Sequence, residues 1–297
     1  MQIKTIILGT AGSAPTRERR MPSVAMIYEG EVLLFDCGEG TQFRMLEHDI
    51  NPVKVKAIFI SHAHGDHTIG IAGLVRTMGM NNRKEPLLIF VPAGDEKVIQ
   101  SLITFDRALI TYKIIIRGIR SGLVYSGREY EVSAFKLRHT IPTYGYVFRE
   151  KSKTKFKKEL AHRLGIRGEM FSKLEKNGSV KVGKRTVRLG QVSWRQEGKK
   201  IVYATDTRPT QTTVAAARNA DLLIHESSYN ASEIGLARKR MHSSAGEVAM
   251  LAKKSGVKRL VLTHISARHR TDAELLRDAR RLFKNTVVAK DGYTVVI

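Results

Sequence analysis

Residues 61–67 read SHAHGDH and directly follow an apolar run of strand length, VKAIFI at 55–60. This stretch places three imidazoles and one carboxylate within six residues, at the point where a strand ends. Imidazole nitrogens and carboxylate oxygens are ligands that divalent metals such as zinc prefer. His62 and His64 are two residues apart, so on a strand or extended turn they face the same way. Asp66 and His67 lie past the bend and can turn toward a second position. The stretch therefore predicts a metal site.

Three further residues of ligand type stand at the ends of other apolar strands. His139 ends EVSAFKLRH, Asp206 ends KKIVYATD and His264 ends KRLVLTH. Taken singly, each could be a turn or cap residue, but open α/β sheets place their binding crevices at the carboxyl ends of strands. The set then contains five histidines and two aspartates: His62, His64, Asp66, His67, His139, Asp206 and His264. Seven ligands suffice for two ions if one carboxylate bridges them.

Strands and helices alternate along both halves of the chain, which predicts an α/β layered domain. Two helix starts carry a capping box, in which a hydroxyl at the N-cap is followed three residues later by Glu. These boxes are Ser244 with Glu247 and Thr271 with Glu274. We expect residues 1–148 and 189–297 to form one domain, interrupted by an insertion at 149–188.

The composition carries a large positive charge, with 51 Lys+Arg against 28 Asp+Glu and a net charge of +23 in 297 residues. Charge of this size indicates a polyanionic partner. At 42% hydrophobic residues the chain is of globular type. No apolar run approaches the roughly 20 residues of a membrane span, so no membrane partner is expected. The single cysteine, Cys37, excludes an internal disulfide and a cysteine-rich zinc site, and a reducing, cytoplasmic setting is the expectation.

The inserted segment 149–188 concentrates this charge. It holds 14 Lys+Arg and 4 Glu, a net charge of +10 in 40 residues. Its few hydrophobic residues suffice for two short helices and a hairpin, but we expect no independent core. The segment is interpreted as a flexible basic arm, and the alternative is a merely solvated surface segment.

HAHGDH at 62–67, followed in order by His139, Asp206 and His264, resembles the HxHxDH signature of the metallo-β-lactamase superfamily. More narrowly, the chain resembles the ribonuclease Z family, which matures tRNA 3′ ends. Eight runs carry the likeness: LGTAGSAPTRER (8–19), FDCGEGTQ (35–42), SHAHGDHTIGIAGL (61–74), HTIPTYGY (139–146), YATDTRPT (203–210), HESSY (225–229), MHSSAGEVAMLAK (241–253) and KRLVLTHISAR (258–268). The resemblance implies a four-layer αβ/βα sandwich with a dinuclear site between its two sheets.

The resemblance also implies the roles of the ligands. His62, His64 and His139 would hold a first Zn²⁺, while Asp66, His67 and His264 would hold a second, with Asp206 bridging. Each subunit would carry two Zn²⁺, and Mn²⁺ or Co²⁺ are possible substitutes at His/Asp sites. His242 matches the family's general acid and Glu226 the acidic partner that orients it. Asp66 is a further candidate, as a base toward the attacking water.

The implied substrate is precursor tRNA, cleaved as a phosphodiester at the 3′ side to remove the trailer. The arm would contact RNA phosphates through a dense run of lysines, Lys151, Lys153, Lys155, Lys157 and Lys158. Arg17, Arg19 and Arg20 would lie near the acceptor end. The family also implies a homodimer. This chain departs from the family pattern in the arm, which lacks a Gly-Pro pair, and at Arg20, where Asn is usual.

Two alternatives stay open at this point. One is another phosphodiesterase or RNase of the same superfamily with a different specificity. The other is a non-catalytic nucleic-acid-binding protein that has kept a metal site. The second alternative predicts loss of a ligand or of His242, and none of these residues is missing.

Overall fold

The structure, a computed structural model, describes residues 2–104 and 110–297. Within these residues the strands in chain order are β1 (Lys4–Gly9), β2 (Ala11–Gly12), β3 (Ser23–Tyr28), β4 (Glu31–Phe35), β5 (Val55–Phe59), β6 (Leu87–Pro92), β7 (Ile114–Ile119), β8 (Gly122–Ser126), β9 (Tyr130–Lys136), β10 (Tyr144–Glu150), β11 (Lys153–Phe156), β12 (Ser179–Val182), β13 (Arg185–Arg188), β14 (Ser193–Gln196), β15 (Lys200–Ala204), β16 (Leu222–Glu226), β17 (Leu260–Thr263), β18 (Ile265–Ser266), β19 (Thr286–Val288) and β20 (Tyr293–Val296).

The α-helices of the same residues are α1 (Thr41–Glu47), α2 (Gly65–Thr68), α3 (Gly70–Met80), α4 (Glu96–Thr104), α5 (Lys158–Arg163), α6 (Met170–Asn177), α7 (Leu189–Val192), α8 (Gln211–Ala217), α9 (Ile234–Lys239), α10 (Ala245–Ser255) and α11 (Ala273–Arg280). Short 3₁₀ turns occupy Pro52–Lys54 and Ala231–Glu233. No helix in the described part of the chain has both the length and the apolar character needed to cross a bilayer.

The chain divides into two compact units. The main unit comprises 1–127, 131–148 and 200–297, and we call the second the basic unit; it comprises 128–130 and 149–199. The predicted insertion at 149–188 falls inside the basic unit, which continues to Lys199 because β14 pairs with β11.

Two seven-stranded sheets form the centre of the main unit. Their strand orders are β20-β1-β3-β4-β5-β6-β7 and β19-β17-β16-β15-β10-β9-β8. Aromatic rings join the two sheets: the Phe35 and Phe59 rings lie 5.9 and 5.4 Å from that of Tyr146. The opposite face of the first sheet packs on α1, α3 and α4, and that of the second on α8, α10 and α11. The predicted four-layer αβ/βα sandwich is confirmed.

The two predicted capping boxes have different outcomes. The Ser244 box is present: its hydroxyl and backbone meet the Glu247 carboxylate at the start of α10. The prediction for Thr271 is wrong, because α11 begins one residue later with Asp272 at its N-cap. The Asp272 carboxylate makes no capping bond and instead accepts from the Arg19 guanidinium.

The basic unit contains the two helices and the hairpin that the sequence predicts, as α5, α6 and β12–β13. A second ribbon pairs β11 with β14. The expectation that this segment has no core of its own is wrong. Five buried side chains form a small hydrophobic cluster, namely Ala161, Ile166, Leu174, Val187 and Val192.

Candidate metal centre and active site

The seven candidate ligands come together at the carboxyl ends of the strands of the main unit. His62 and His64 leave β5, Asp66 and His67 lie on the short helix α2, and the other three directly or closely follow β9, β15 and β17. The parallel pairing of β15, β16 and β17 brings their carboxyl ends to one edge. The residues predicted from the ends of separate strands therefore form one spatial cluster.

The ligand atoms of this cluster form two overlapping sets. His62, His64, His139 and Asp206 form the first, and Asp66, His67, Asp206 and His264 the second. Within each set the atoms lie within 4.8 Å of one another. Asp206 belongs to both sets. Its Oδ2 lies 3.7 Å from His62 Nε2, and its Oδ1 lies 3.5 Å from His67 Nε2. This carboxylate is placed so that each oxygen can serve a different cation.

The donor set fits divalent cations. The Nε2 atom of His67 is buried and has no hydrogen-bond partner among the described residues, although an unsatisfied buried polar atom is costly. His67 Nδ1 donates to Asp36 Oδ2 at 2.8 Å, which leaves the lone pair of Nε2 free to bind a cation. A His/Asp donor set of this kind suits zinc and related metals.

Asp36 holds the histidines in place, and the sequence reasoning missed it. This buried carboxylate accepts from Ser61 N (2.7 Å), Ser61 Oγ (2.9 Å), His67 Nδ1 (2.8 Å) and Tyr203 Oη (2.7 Å). Because the Ser61 hydroxyl donates to Asp36, it can only accept from His62 Nδ1, 2.9 Å away. One carboxylate thus fixes the tautomers of His62 and His67, one in each ligand set. The signal was present in FDCGEG: Asp36 follows β4 just as Asp206 follows β15.

The backbone at the site is strained. Asp36, Asp206 and His264 have φ values of 59°, 43° and 55°, in the left-handed region that non-glycine residues seldom adopt. Strain of this kind persists where surrounding structure over-determines the conformation, and it clusters at active sites. A glycine is also required nearby, because a Cβ on Gly38 would lie 2.4 Å from the Asp66 carbonyl oxygen.

Burial and neighbouring charges set the protonation of the ligands. Burial, reinforced by the His67 charge, lowers the pKa of His62 well below its usual range. For His264, burial opposes the charged ring, but the Asp206 carboxylate outweighs it and raises the pKa to about 10. Burial opposes the charged form of Asp66, but the His264 and His67 rings, whose Nε2 atoms lie 3.8 and 3.4 Å from Oδ2, outweigh it and lower the pKa of this carboxyl. Protons on these rings would leave when a cation binds, as is general for metal sites.

A separate acid–base pair lies beside the ligands. His242 Nδ1 lies 2.9 Å from Glu226 Oε1. Burial disfavours the imidazolium, but the Glu226 carboxylate outweighs burial and raises the pKa of His242. Glu226 is itself fully buried, and it accepts from Thr207 N at 2.8 Å and Ser228 Oγ at 3.0 Å. The ring can therefore hold a proton at neutral pH and present Nε2 outward.

The backbone of His242 is also anchored. Arg208 donates to the His242 carbonyl oxygen at 2.5 Å and forms an ion pair with Glu247 of the α10 capping box. These contacts were not foreseen from the sequence, where Arg208 appeared only as a member of the run YATDTRPT.

Four of the candidate ligands and His242 line one cavity of about 480 Å³; the four are His64, Asp66, His139 and Asp206. Its lining also contains three cationic residues that sequence reasoning missed, Lys239, Arg240 and Arg268. Two of them precede His242 in the run ARKRMH, and a basic run beside a predicted catalytic histidine was an available signal. The cavity therefore combines candidate metal ligands, a proton donor and cationic groups.

The predicted RNA contacts lie in both units. Arg17 and Arg20 are exposed. The Arg19 guanidinium points into the protein, where it donates to Thr10 Oγ1, the Ala289 carbonyl and Asp272. In the basic unit the lysines also differ. Lys155, Lys157 and Lys158 are exposed, Lys151 is half-buried, and Lys153 pairs with Glu129 at 3.1 Å and with Glu150 at 3.6 Å.

The fold and this geometry agree with comparisons to known proteins. Residues 18–264 match the family model described as "Metallo-beta-lactamase superfamily". The chain is 41% identical to a ribonuclease Z of Methanosarcina acetivorans, over 97% of this chain and 96% of that protein. It is 37% identical to a ribonuclease Z of Methanothermobacter thermautotrophicus, over 99% and 97%. The fold resembles the short form of human tRNase Z, with a TM-score of 0.73, 24% identity and 98% of each chain covered. The chain belongs to the ribonuclease Z family of metal-dependent endoribonucleases, within the metallo-β-lactamase superfamily.

Proposed function

We propose that this protein is a zinc-dependent endoribonuclease that removes the 3′ trailer from precursor tRNA by hydrolysing the phosphodiester at the 3′ side. The observation that carries the proposal is the pair of ligand sets joined by Asp206, with members of both sets lining the same cavity as His242, the partner of Glu226. The names of the relatives, ribonuclease Z, and of the structural neighbour, tRNase Z, support tRNA as the substrate.

In this proposal His62, His64 and His139 would hold one Zn²⁺ and Asp66, His67 and His264 the other, and Asp206, which belongs to both ligand sets, would contribute to both. Two such ions supply neutralisation of the charge that develops on the phosphate and activation of water. Mn²⁺ or Co²⁺ could take their place, because His/Asp sites accept several divalent metals.

The chain's own residues move the protons. His242 donates a proton to the leaving ribose oxygen, and Glu226 holds the ring so that Nδ1 stays occupied and Nε2 faces the cavity. Asp66 lines the cavity as an ionised carboxylate and is the proposed acceptor for the proton of the attacking water. Lys239 and Arg240, also lining the cavity, neutralise the phosphates beside the scissile bond.

Affinity for the RNA comes from the surplus of positive charge. Arg17 and Arg20 of the main unit, and the lysines Lys151, Lys153, Lys155, Lys157 and Lys158 of the basic unit, are the proposed phosphate contacts. Among the lysines we rank the exposed Lys155, Lys157 and Lys158 first, since Lys153 is already paired with two carboxylates. Arg19 acts by fixing the 13–20 loop through Asp272.

We also propose a cytoplasmic homodimer. Phe43 and Leu46 are 61% and 57% exposed on one face of α1, and Ile69 at the start of α3 is 50% exposed. Apolar groups exposed together are typical of protein interfaces, and a second copy of the chain is the partner that the family resemblance implies. Sedimentation at working concentration tests this: a monomer would contradict it. The single buried thiol, Cys37, suits a reducing compartment.

The test is incubation with a 3′-extended tRNA, with and without EDTA, followed by mapping of the product ends. We expect a metal-dependent cut at the 3′ side of the tRNA that Zn²⁺ restores after chelation. Cleavage of a small chromogenic diester without cleavage of the tRNA would indicate another phosphodiesterase of the superfamily. Binding of the tRNA without any cut would overturn the enzymatic proposal.

A further inference from the structure

The chain has a single tryptophan, Trp194, and it is half exposed. It lies on β14 of the basic unit, outside every group assigned above to catalysis or metal binding. A large aromatic ring usually stabilises a protein most when it is buried. The exposure of Trp194 among charged side chains therefore points to a role in binding.

The ribbon of β11 and β14 places positive charge beside the ring. In the antiparallel register Trp194 lies directly opposite Lys155, and Thr154 lies opposite Arg195. Directly opposed residues project on the same face, with Cβ atoms about 4.5–5.5 Å apart. The indole and the Lys155 ammonium therefore share one face of the ribbon, and both are exposed.

Trp194 also lines two open cavities within the basic unit. The first, of about 480 Å³, is lined by Phe156, Lys157, Lys158, Glu159, Leu160, Arg163 and Trp194. The second, of about 510 Å³, is lined by Ser152, Thr154, Leu189, Gly190, Ser193, Trp194 and Arg195. Their charged lining comprises four cations and one carboxylate. Cationic side chains therefore line the open space next to this tryptophan.

We propose that Trp194 is a stacking platform for an unpaired nucleobase of the RNA substrate, with Lys155, Lys157 and Lys158 contacting the adjoining phosphates. The proposal rests on the proposed function, in that it takes RNA to be the substrate. An aromatic ring set in a basic groove is the arrangement by which proteins hold single-stranded segments, because every base offers a π-face. A protein partner fits less well, since lysine is depleted at protein interfaces.

Because Trp194 is the only tryptophan, the intrinsic tryptophan fluorescence of the full-length protein reports on this site alone. Titration with 3′-extended tRNA should quench the emission, with the same midpoint as a filter-binding titration. Trp194→Leu should weaken tRNA binding about tenfold, the scale of one stacked base, while Trp194→Phe keeps most of the affinity. A fully paired RNA duplex should bind without the quench.

The salt dependence of tRNA affinity distinguishes a stacking contact from a contact between charges. Trp194→Leu should leave the slope of log affinity against log salt unchanged, whereas Lys157→Ala should lower it by about one. In cleavage assays Trp194→Leu should raise KM and leave kcat at the wild-type value. Gln196→Ala, two residues along the same face of β14, is the matched control and should behave as wild type.

Wild-type affinity in a Trp194→Leu protein with an unchanged melting temperature would overturn the platform, even if cleavage of tRNA is intact. A Trp194→Leu protein that loses self-association in sedimentation would assign the ring to a protein contact and overturn it as well. If the wild type binds tRNA with a fluorescence quench and fails to cleave it, the platform stands and the proposed function fails.

Discussion

The main unit buries its central functional polar groups, whereas the basic unit leaves its own exposed. In the main unit the central functional side chains are buried and held by hydrogen bonds: His62, His67 and Asp36 are fully buried, and Asp36 accepts four hydrogen bonds. In the basic unit the proposed functional groups, such as Lys155 and Trp194, are exposed, and the buried part is a cluster of five hydrophobic residues. The main unit holds its functional side chains in fixed positions, whereas the basic unit exposes positively charged side chains to solvent.

The difference follows from what each task demands. Metal ligation and proton transfer require geometry held within fractions of an ångström, which buried hydrogen bonds and two large sheets can provide. The strained backbone at Asp36, Asp206 and His264 is tolerated only on such a support. Binding to RNA phosphates depends mainly on the number of cations near the backbone. A small unit with flexible lysines is sufficient for that.

The largest expected effect comes from removing a ligand in the main unit. His64→Ala should lower cleavage of 3′-extended tRNA by at least about 10³-fold, because metal ions contribute several kcal/mol of charge stabilisation. Metal content measured by mass spectrometry should fall in the same variant. His162→Ala, an exposed histidine of the basic unit, is the matched control and should retain wild-type turnover. An active His64→Ala enzyme would remove this residue from the centre.

The proton donor should come next in magnitude. His242→Ala should keep its metal content but lose at least about 10²-fold in turnover, the scale of a lost general acid. Single-turnover cleavage of precursor tRNA measures the chemical step directly. Unchanged turnover would exclude His242 from the mechanism.

The buried carboxylate that supports both ligand sets should matter through metal affinity. Asp36→Asn removes the charge that orients His67 and, through Ser61, His62, so affinity for Zn²⁺ should fall about 10- to 100-fold. A competition titration with a chromogenic chelator measures this. Glu39→Gln, an exposed carboxylate three residues away, serves as the control. Equal zinc affinity in Asp36→Asn and wild type would show that the hydrogen bonds have no influence on the metal.

Sequence patterns pointed to the candidate ligands but not to the residues that hold them in place through hydrogen bonds. The candidate ligands follow apolar strands, and the rule about carboxyl ends predicted that they would lie close together, as they do in the structure. Asp36 also directly follows an apolar strand. It was missed because the adjacent Cys37 was the residue considered in this run. That thiol is inert, since burial raises the pKa of Cys37 to about 12. Supporting residues such as Arg208 are recognised only from three-dimensional contacts, because their partners are distant in sequence.

Long-range contacts also explain the misjudged features. The Thr271 capping box matches the motif, but Arg19, some 250 residues away, engages Asp272 and the helix starts after it. The core of the basic unit joins Ala161 and Ile166 with Val187 and Val192, the last of which lies beyond the predicted boundary at residue 188. A count of apolar residues within 149–188 could not show that these side chains meet.

The Glu226–His242 pair predicts a pH effect. Glu226 raises the pKa of His242, so the proton donor stays charged to higher pH. Glu226→Gln should move the alkaline limb of the kcat profile to lower pH and lower turnover above neutrality by about tenfold. Glu226→Asp keeps the charge and should retain more of the alkaline activity. An alkaline limb at the same pH in wild type and Glu226→Gln would show that this ion pair does not govern the proton donor.

The smallest effect on turnover should come from the basic unit, and it sharpens the contrast between the two units. The triple variant Lys155→Ala, Lys157→Ala, Lys158→Ala should raise KM for precursor tRNA several-fold and leave kcat unchanged. The slope of log affinity against log salt should fall by about two to three, because each phosphate contact contributes somewhat less than one. A control that removes three exposed lysines of the main unit, Lys54, Lys84 and Lys113, changes net charge equally. If both triple variants lower the slope alike, the RNA responds to total charge. If only the Lys155, Lys157 and Lys158 variant lowers the slope, RNA binding is localised in the basic unit, whereas the proposed catalytic residues lie in the main unit.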